Sequence, residues 1–173
     1  RRLSTLAGNI LLLSKLDSQS IRPRRSRFRL DEQVRQCILA LERRWTEKEV
    51  DFDVDLDSVD FTGYEGLLQH VWTNLIDNAV KFGPRGGLVQ IRLVQETDSV
   101  LFTIDNEGPV ISEKDKARIF NKFYQGDSLH ESEGNGLGLA LVRKIIAIHG
   151  GEVWLEDPAS GGCRFAVRLP MET

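Results

Sequence analysis

The order of periodic segments predicts an α+β fold. It is a two-layer α/β sandwich, with one mixed, mostly antiparallel sheet covered by helices on one face, a long lid and a separate N-terminal helix. Three observations carry this expectation. Period-two segments come in pairs, Leu88 to Gln95 with Val100 to Asp105 and Glu152 to Glu156 with Arg164 to Leu169. Segments with apolar residues three or four apart precede and separate those pairs. The stretch from Asn106 to Gly136 holds only short helical patches, and a connection that long in a compact domain is usually functional.

The elements follow in chain order. Residues 1 to 19 place Leu3, Leu6, Ile10, Leu13 and Leu16 three or four apart, an amphipathic seam widened by Ala7 and Leu12. Pro23 and the cluster Arg22, Arg24, Arg25, Arg27 and Arg29 follow. In a domain that is acidic as a whole, residues 20 to 29 read as a solvated linker rather than a nucleic-acid surface. A helix is expected from Asp31, which helps to cap it, through Val34, Ile38 and Leu41 to about Glu47. Val50 to Leu56 alternates strictly and reads as a half-buried strand with an acidic outer face, with a briefer strand at Val59 to Phe61. Thr62-Gly63-Tyr64-Glu65 has the spacing of a capping box and opens a helix to about Phe82, which Gly83-Pro84-Arg85-Gly86-Gly87 terminates. Beyond the first strand pair, Glu113 to Phe120 is a helical patch. Leu139 to His149 is an apolar helix stopped by Gly150-Gly151, and a turn from Asp157 to Gly162 joins the last two strands.

Composition narrows the class. The chain has 173 residues, 40% hydrophobic and 28% charged, enough for one core and a short appendage. A net charge of −3 favours neither nucleic acid nor an anionic membrane. No apolar run approaches the roughly 20 residues needed to cross a bilayer. The N-terminus is polar, lacks a signal-peptide pattern and resembles the middle of a helix, as in a piece of a longer chain. Cys37 and Cys163 lack metal-ligand spacing and read as buried thiols in a reducing compartment.

Three stretches carry chemistry. On the helix ending at Phe82, positions 70, 74, 78 and 81 fall on one stripe, which reads His70, Asn74, Asn78, Lys81. The opposite face, Leu68, Val71, Leu75, Ala79 and Phe82, is core. Two amides and an ammonium suit a metal and phosphates. Asn78 is the candidate magnesium ligand, since an amide oxygen is a hard neutral donor for an octahedral cation that keeps waters and shares phosphate oxygens. Asn74 stands as a second ligand or as the orienter of a metal-bound water, and Lys81 as the neutraliser of phosphate charge. The plainer alternatives are amides that cap backbone and a surface lysine. The second stretch is the glycine ladder Gly134-Asn135-Gly136-Leu137-Gly138-Leu139, which admits backbone to phosphates where a helix begins. It does not directly follow a strand and lacks a Gly-Lys-Ser/Thr ending, which excludes a dinucleotide crossover and a Walker loop. Asn106-Glu107-Gly108-Pro109-Val110-Ile111 lies where a strand ends. Asn106 there can accept from an adenine amine and donate to a ring nitrogen, with Gly108 admitting the base and Ile111 packing on it. The same residues also make a plain turn.

On these motifs, over about residues 30 to 171, the chain resembles the catalytic, ATP-binding domain of sensor histidine kinases, within the superfamily shared with gyrase, Hsp90 and MutL. Asn74 to Phe82 looks like its N box, and Asn106 to Ile111 like its first glycine box. Ile119 to Tyr124 resembles the F box of its ATP lid, Gly134 to Leu139 the second glycine box, and Gly162-Cys163-Arg164-Phe165 the last. Residues 1 to 19 resemble the second helix of the dimerisation and phosphoacceptor hairpin, residues 20 to 29 a linker, and residues 30 to 173 the catalytic domain. The resemblance implies ATP and Mg2+ as cofactors, with Asn78, or Asn78 and Asn74, on the metal. It implies a nucleotide site of Asn74, Asn78, Lys81, Phe82, Asn106, Gly108, Ile111, Lys122, Tyr124, Gly134, Gly136, Leu137, Gly138 and Leu139.

Departures shape that expectation. The commoner family form has Asp where Asn106 stands, with Asp105 the alternative adenine reader. Gln125 stands where Arg often follows Phe-Tyr, leaving any γ-phosphate contact to Lys122, and Tyr64 stands where the site helix often begins near an Asp. The resemblance implies a protein-histidine kinase whose acceptor histidine lies on a first dimerisation helix. The histidines present, His70, His130 and His149, sit elsewhere. His149 reads as structural, and His70 as a partly buried polar residue or a contact to bound water. The implied partners are the phosphoacceptor helix of its own homodimer and a cognate response regulator, not nucleic acid. The implied setting is the cytoplasmic part of an often membrane-anchored kinase. A gyrase- or Hsp90-type ATPase would carry a glutamate at the position of Asn74, and an amide cannot act as a general base. A vestigial nucleotide-sensing or partner-binding module is the third reading.

Overall fold

Alternation builds the sheet. In a computed structural model, which describes residues 2–18, 24–121 and 138–171, the strands β4 (Leu88–Gln95), β5 (Ser99–Asn106) and β7 (Cys163–Pro170) bury every second residue on one face. Val89, Ile91 and Leu93 lie beside Val100, Phe102 and Ile104, and these beside Phe165, Val167 and Leu169. With β2 (Asp51–Leu56) and β6 (Glu152–Glu156) the order is β2-β4-β5-β7-β6. Among the described residues only the β2–β4 pair is parallel. The opposite face is charged, with Arg92 on Asp53 at 2.9 Å and Arg164 on Asp105 at 2.7 and 2.8 Å.

The helices α4 (Glu65–Phe82) and α6 (Gly138–Ile148) cover the apolar face. Leu68, Val71, Trp72, Leu75 and Ile76 from α4 meet Leu141, Val142, Ile145 and Ile146 from α6 in one core. The Trp72 ring lies 4.6 Å from that of Phe102, and its indole N–H donates to Gln33 Oε1 at 2.8 Å. Truncating a buried leucine here, such as Leu75→Ala, costs about 2–5 kcal/mol. The mixed, mostly antiparallel sheet with helices on one face is therefore present as expected.

Several local expectations are corrected. Ser26–Arg29 is not linker but a strand, β1, paired antiparallel with β3 (Asp60–Gly63). Phe28 packs edge-on to Phe61 with ring centroids 6.1 Å apart, and Arg27 pairs with Asp60 at 3.2 Å. The period-two signal was masked by the run of arginines. Asp31 does not cap α2 (Leu30–Ala40), whose N-cap is Arg29 without a side-chain bond. Its carboxylate is buried, 1% exposed, receiving Arg29 at 2.9 and 2.7 Å, Arg35 at 2.9 Å and the Val59 N–H at 3.1 Å. Those donors hold it well below the usual carboxylate range and join β1, α2 and the approach to β3. The expected single helix to Glu47 breaks at Leu41 and resumes as α3 (Glu42–Glu47). The lid-side patch is one turn, α5 (Glu113–Lys116), capped by Ser112 Oγ at 3.1 Å from the Asp115 N–H.

The N-terminal helix α1 (Arg2–Asp17) divides its expected seam. Leu13 and Leu16 are buried in the common core beside α6, and Asp17 lies 3.6 Å from Lys144, whereas Ile10 is 45% exposed.

The capping box also fails to form, because Thr62 belongs to β3 and Tyr64 takes the N-cap without a side-chain bond. The Tyr64 N–H donates instead to His149 Nε2 at 3.1 Å, and His149 Nδ1–H donates to the Ile145 carbonyl at 2.8 Å. This pairing needs the neutral ring, which sits among Tyr64 and Phe61 with Arg25 above the Tyr64 face. Burial, reinforced by Arg25, pushes the His149 pKa down. The folded state thus binds its proton less readily than the unfolded chain, whose histidines titrate near ~6.5. This stability is fully present above that pH and is lost as pH falls towards the lower folded value. Asp31 acts in a separate, more acid window, below the ordinary carboxylate range. Urea unfolding from pH 7.5 to 5 is expected to show a falling midpoint below about pH 6.5. His149→Gln should lower stability at neutral pH by about 1 kcal/mol and flatten that slope. An unaltered slope in the variant would remove His149 as its cause.

Candidate nucleotide site

Once α4 has buried Leu67, Leu68, Val71, Trp72, Leu75, Ile76, Ala79 and Val80, its remaining arc must face away from the core. Asn74, Asn78 and Lys81 lie there half-buried, with His70 exposed. The Asn74 Nδ2 donates to the His70 carbonyl at 2.7 Å, so the plainer backbone-capping role is partly realised. Its other end faces α6, where a Cβ on Gly138 would come within 2.7 Å of Asn74 Oδ1. Glycine here lets the start of α6 stand against the stripe without displacing the Asn74 amide. Asn78 makes no side-chain hydrogen bond among the described residues.

The C-terminal turn of α4 is held by residues that the sequence reading missed. Lys48 Nζ donates to the Val80 and Lys81 carbonyls at 2.6 and 2.7 Å, supplying cationic donors to the helix end. Burial pushes its pKa down. Asp77 lies 3.1 Å from Lys81 and 2.6 Å from Arg44, so the Lys81 ammonium is held over the stripe by a carboxylate that is itself held. The Asp77–Lys81 spacing of four was a readable signal; Arg44 and Lys48 come from other elements and left none.

The far wall is the end of β5. Asn106 is only 7% exposed and stands on the sheet face that meets the helices. Its amide makes no hydrogen bond among the described residues. No fully buried side-chain polar atom lacks a partner among them, so this amide keeps an opening outward. Asp105, the alternative adenine reader, points to the opposite face and is locked by Arg164 at 2.7 and 2.8 Å. Gly108 is required by contact, since a Cβ there would lie 2.9 Å from the Phe82 carbonyl oxygen and 3.0 Å from Asn106 Nδ2. Gly162, at φ +80°, abuts the Asn106 carbonyl and leads into β7, where Cys163 pairs with Asn106. Burial pushes the Cys163 thiol up to about 12, which keeps it protonated.

The structure thus brings Asn74, Asn78, Lys81, Phe82, Asn106, Gly108 and Gly138 around one region between α4, the start of α6 and the end of β5. Ile111 and Leu139 are buried in the adjoining core at 6% and 8% exposure. Lys122, Tyr124, Gly134, Gly136 and Leu137 lie outside the described residues. Among the described residues no group of three or more His, Cys, Asp and Glu could hold a metal ion. The amides with Lys81 fit a cation that arrives already bound to phosphate oxygens.

Comparison with known proteins places the family and the fold. The heme sensor protein HssS of Staphylococcus aureus is 33% identical over 169 residues, 98% of this chain and 36% of that protein. The chain therefore spans about a third of the length of such curated relatives. A mycobacterial sensor histidine kinase, MprB, superposes with a TM-score of 0.78 at 27% identity, covering 86% of this chain and 99% of that one. Full-length ShkA, solved in complex with AMPPNP, superposes with a TM-score of 0.86 at 27% identity, covering 99% of this chain and 36% of that one. Residues 63–173 match the model of the histidine kinase-, DNA gyrase B- and HSP90-like ATPases, and the chain belongs to that family, as a homologue of sensor histidine kinase catalytic domains.

Proposed function

We propose that this chain holds Mg2+–ATP and presents its γ-phosphoryl group to a histidine on the phosphoacceptor helix of its own homodimeric kinase. The phosphoryl group would pass onward to a cognate response regulator. The observation that carries the reading is the unpartnered Asn78 amide, on a stripe bounded by Asn74 against the start of α6 and by Lys81. Its likeness to ShkA, solved with AMPPNP, supports a nucleotide in that region.

Asn78, with Asn74 beside it, would hold the cation, which neutralises triphosphate charge when bound. Lys81 contributes an ammonium on the same side, Asn106 reads the base, and Gly108 and Gly138 keep the walls open to it. Lys122, Tyr124 and the glycine ladder complete the site in this reading. Catalysis is positioning and charge neutralisation. None of His70, Asn74, Asn78 and Lys81 offers a carboxylate to activate water, which disfavours a gyrase- or Hsp90-type ATPase. Residues 1 to 19 act as the second dimerisation helix and the catalytic domain runs to residue 173, with β1 as its first strand. No helix among the described residues is long and apolar enough to cross a membrane. We assign this portion to the cytoplasmic side of a membrane-anchored parent.

Calorimetry is the direct test. Mg2+–ATP should bind the chain, and Asn78→Ala should weaken it at least about tenfold, as should chelation of the metal. The fold should change by less than about 0.5 kcal/mol, because the amide makes no hydrogen bond. A parent chain that binds no nucleotide would instead favour the vestigial module. γ-Labelled ATP should leave no stable label on this chain alone, and stable label on it would refute the assignment of the acceptor to a helix elsewhere.

A further inference from the structure

Asn106 is more than nine-tenths buried, bears both a donor and an acceptor, and is held by no hydrogen bond among the described residues. A buried amide is ordinarily oriented by its partners. Here neither end is committed. The neighbouring acids do not impose a polarity on the site either. Asp105 faces the other side of the sheet under Arg164, and the Glu107 carboxylate accepts from the Leu88 N–H at 2.7 Å. Gly108 leaves the approach to the amide free of a side chain.

A purine meets such a group by its six-position edge. A 6-aminopurine offers an amine donor and the N1 acceptor, and the amide pairs with both through its oxygen and its nitrogen. A 6-oxopurine offers the reverse, an O6 acceptor and an N1–H donor. The same amide pairs with both after rotating about its last side-chain bond, with no change in shape. A carboxylate could not, because it only accepts and would face O6 with like partial charge.

We propose that the base pocket of this chain takes 6-oxopurine as well as 6-aminopurine nucleoside triphosphates, with the free rotation of the Asn106 amide as the cause. The inference rests on the nucleotide-site reading above. Inosine triphosphate is the clean probe, since it differs from ATP only along this edge.

Calorimetry with Mg2+ should find ITP within about tenfold of ATP on the parent chain. Asn106→Asp loses the donor to N1 but still accepts from the 6-amine, so it should weaken ITP at least about tenfold more than it weakens ATP. A gap beyond about tenfold in the parent, or a ratio that Asn106→Asp leaves in place, overturns the proposal. Should Asn106→Asp fail to fold, Asn106→Leu is read instead. It should weaken both nucleotides alike, and loss of ATP binding alone would overturn the idea. If neither nucleotide binds the parent, the site reading and this inference fall together. ATP binding with ITP excluded removes the inference alone.

Discussion

The polar stripe of the candidate site exists because α4 must bury one face. Eight of its residues, from Leu67 to Val80, are packed under the sheet and against α6, with Trp72 and Leu75 wholly enclosed. At 3.6 residues per turn, a stripe that wide leaves a single arc unburied, and the polar residues of the helix occupy it. The orientation of Asn74, Asn78 and Lys81 is thus a consequence of core packing rather than of contacts among themselves. Domains have only about 5–15 kcal/mol of stability. A cavity under Trp72 or Leu75 therefore threatens the site by rotating or unfolding the helix that presents it.

The same helix is fixed at three points along its length, each by a different element. His149, at the end of α6, accepts from the backbone at Tyr64, Gly138 at the start of α6 abuts Asn74, and Lys48 binds the last carbonyls. The first two contacts set α6 antiparallel to α4. From Tyr64 to Asn74 and from Gly138 to His149 the two helices each rise about 15 Å. The two contacts therefore close together only in one register. A slide of α6 by one turn would separate the histidine from its N–H and place a different residue against the Asn74 amide. Since Gly138 is the residue on which the glycine ladder ends, the neutral His149 ring helps to set where that ladder meets the stripe.

Legibility followed the range of the interactions. The sheet strands and both long helices were readable, because alternation and three-to-four spacing are properties of consecutive residues. The stripe on α4 was readable for the same reason, and Gly108 carried its own signal, because a missing Cβ between Asn106 and the Phe82 carbonyl marks a close approach. What failed depended on partners distant in sequence. Asp31 looked like a cap because Asp near a helix start usually is one, yet Arg29, Arg35 and Val59 draw it inward. The arginines of residues 24 to 29 looked solvated because charge concealed Phe28, whose only argument for a strand is Phe61 on β3. Asp105 and Asn106, both open as adenine readers in the sequence, take opposite faces of the strand because neighbouring side chains alternate, and Asn106 is the one on the face that meets the helices.

The pairing of Lys81 bears on how the phosphate contact proposed for it would be kept ready. Its ammonium is 26% exposed and pairs with Asp77, itself 17% exposed. A partly exposed contact of this kind, still reached by water, is worth about 1 kcal/mol. That is enough to restrict a flexible side chain and too little to withhold it from a polyanion. Were Lys81 to turn to a phosphate as proposed, Asp77 would not be abandoned, because Arg44 remains on its other oxygen at 2.6 Å. The carboxylate therefore does not pull the ammonium back as an uncompensated charge would. An unpaired lysine would lose more rotamer entropy on binding, and one buried in a strong ion pair would surrender more energy on leaving it. The three-charge chain Arg44–Asp77–Lys81 lies between those extremes, and it does so with side chains drawn from α3 and α4, outside the glycine-rich segments that define the motif.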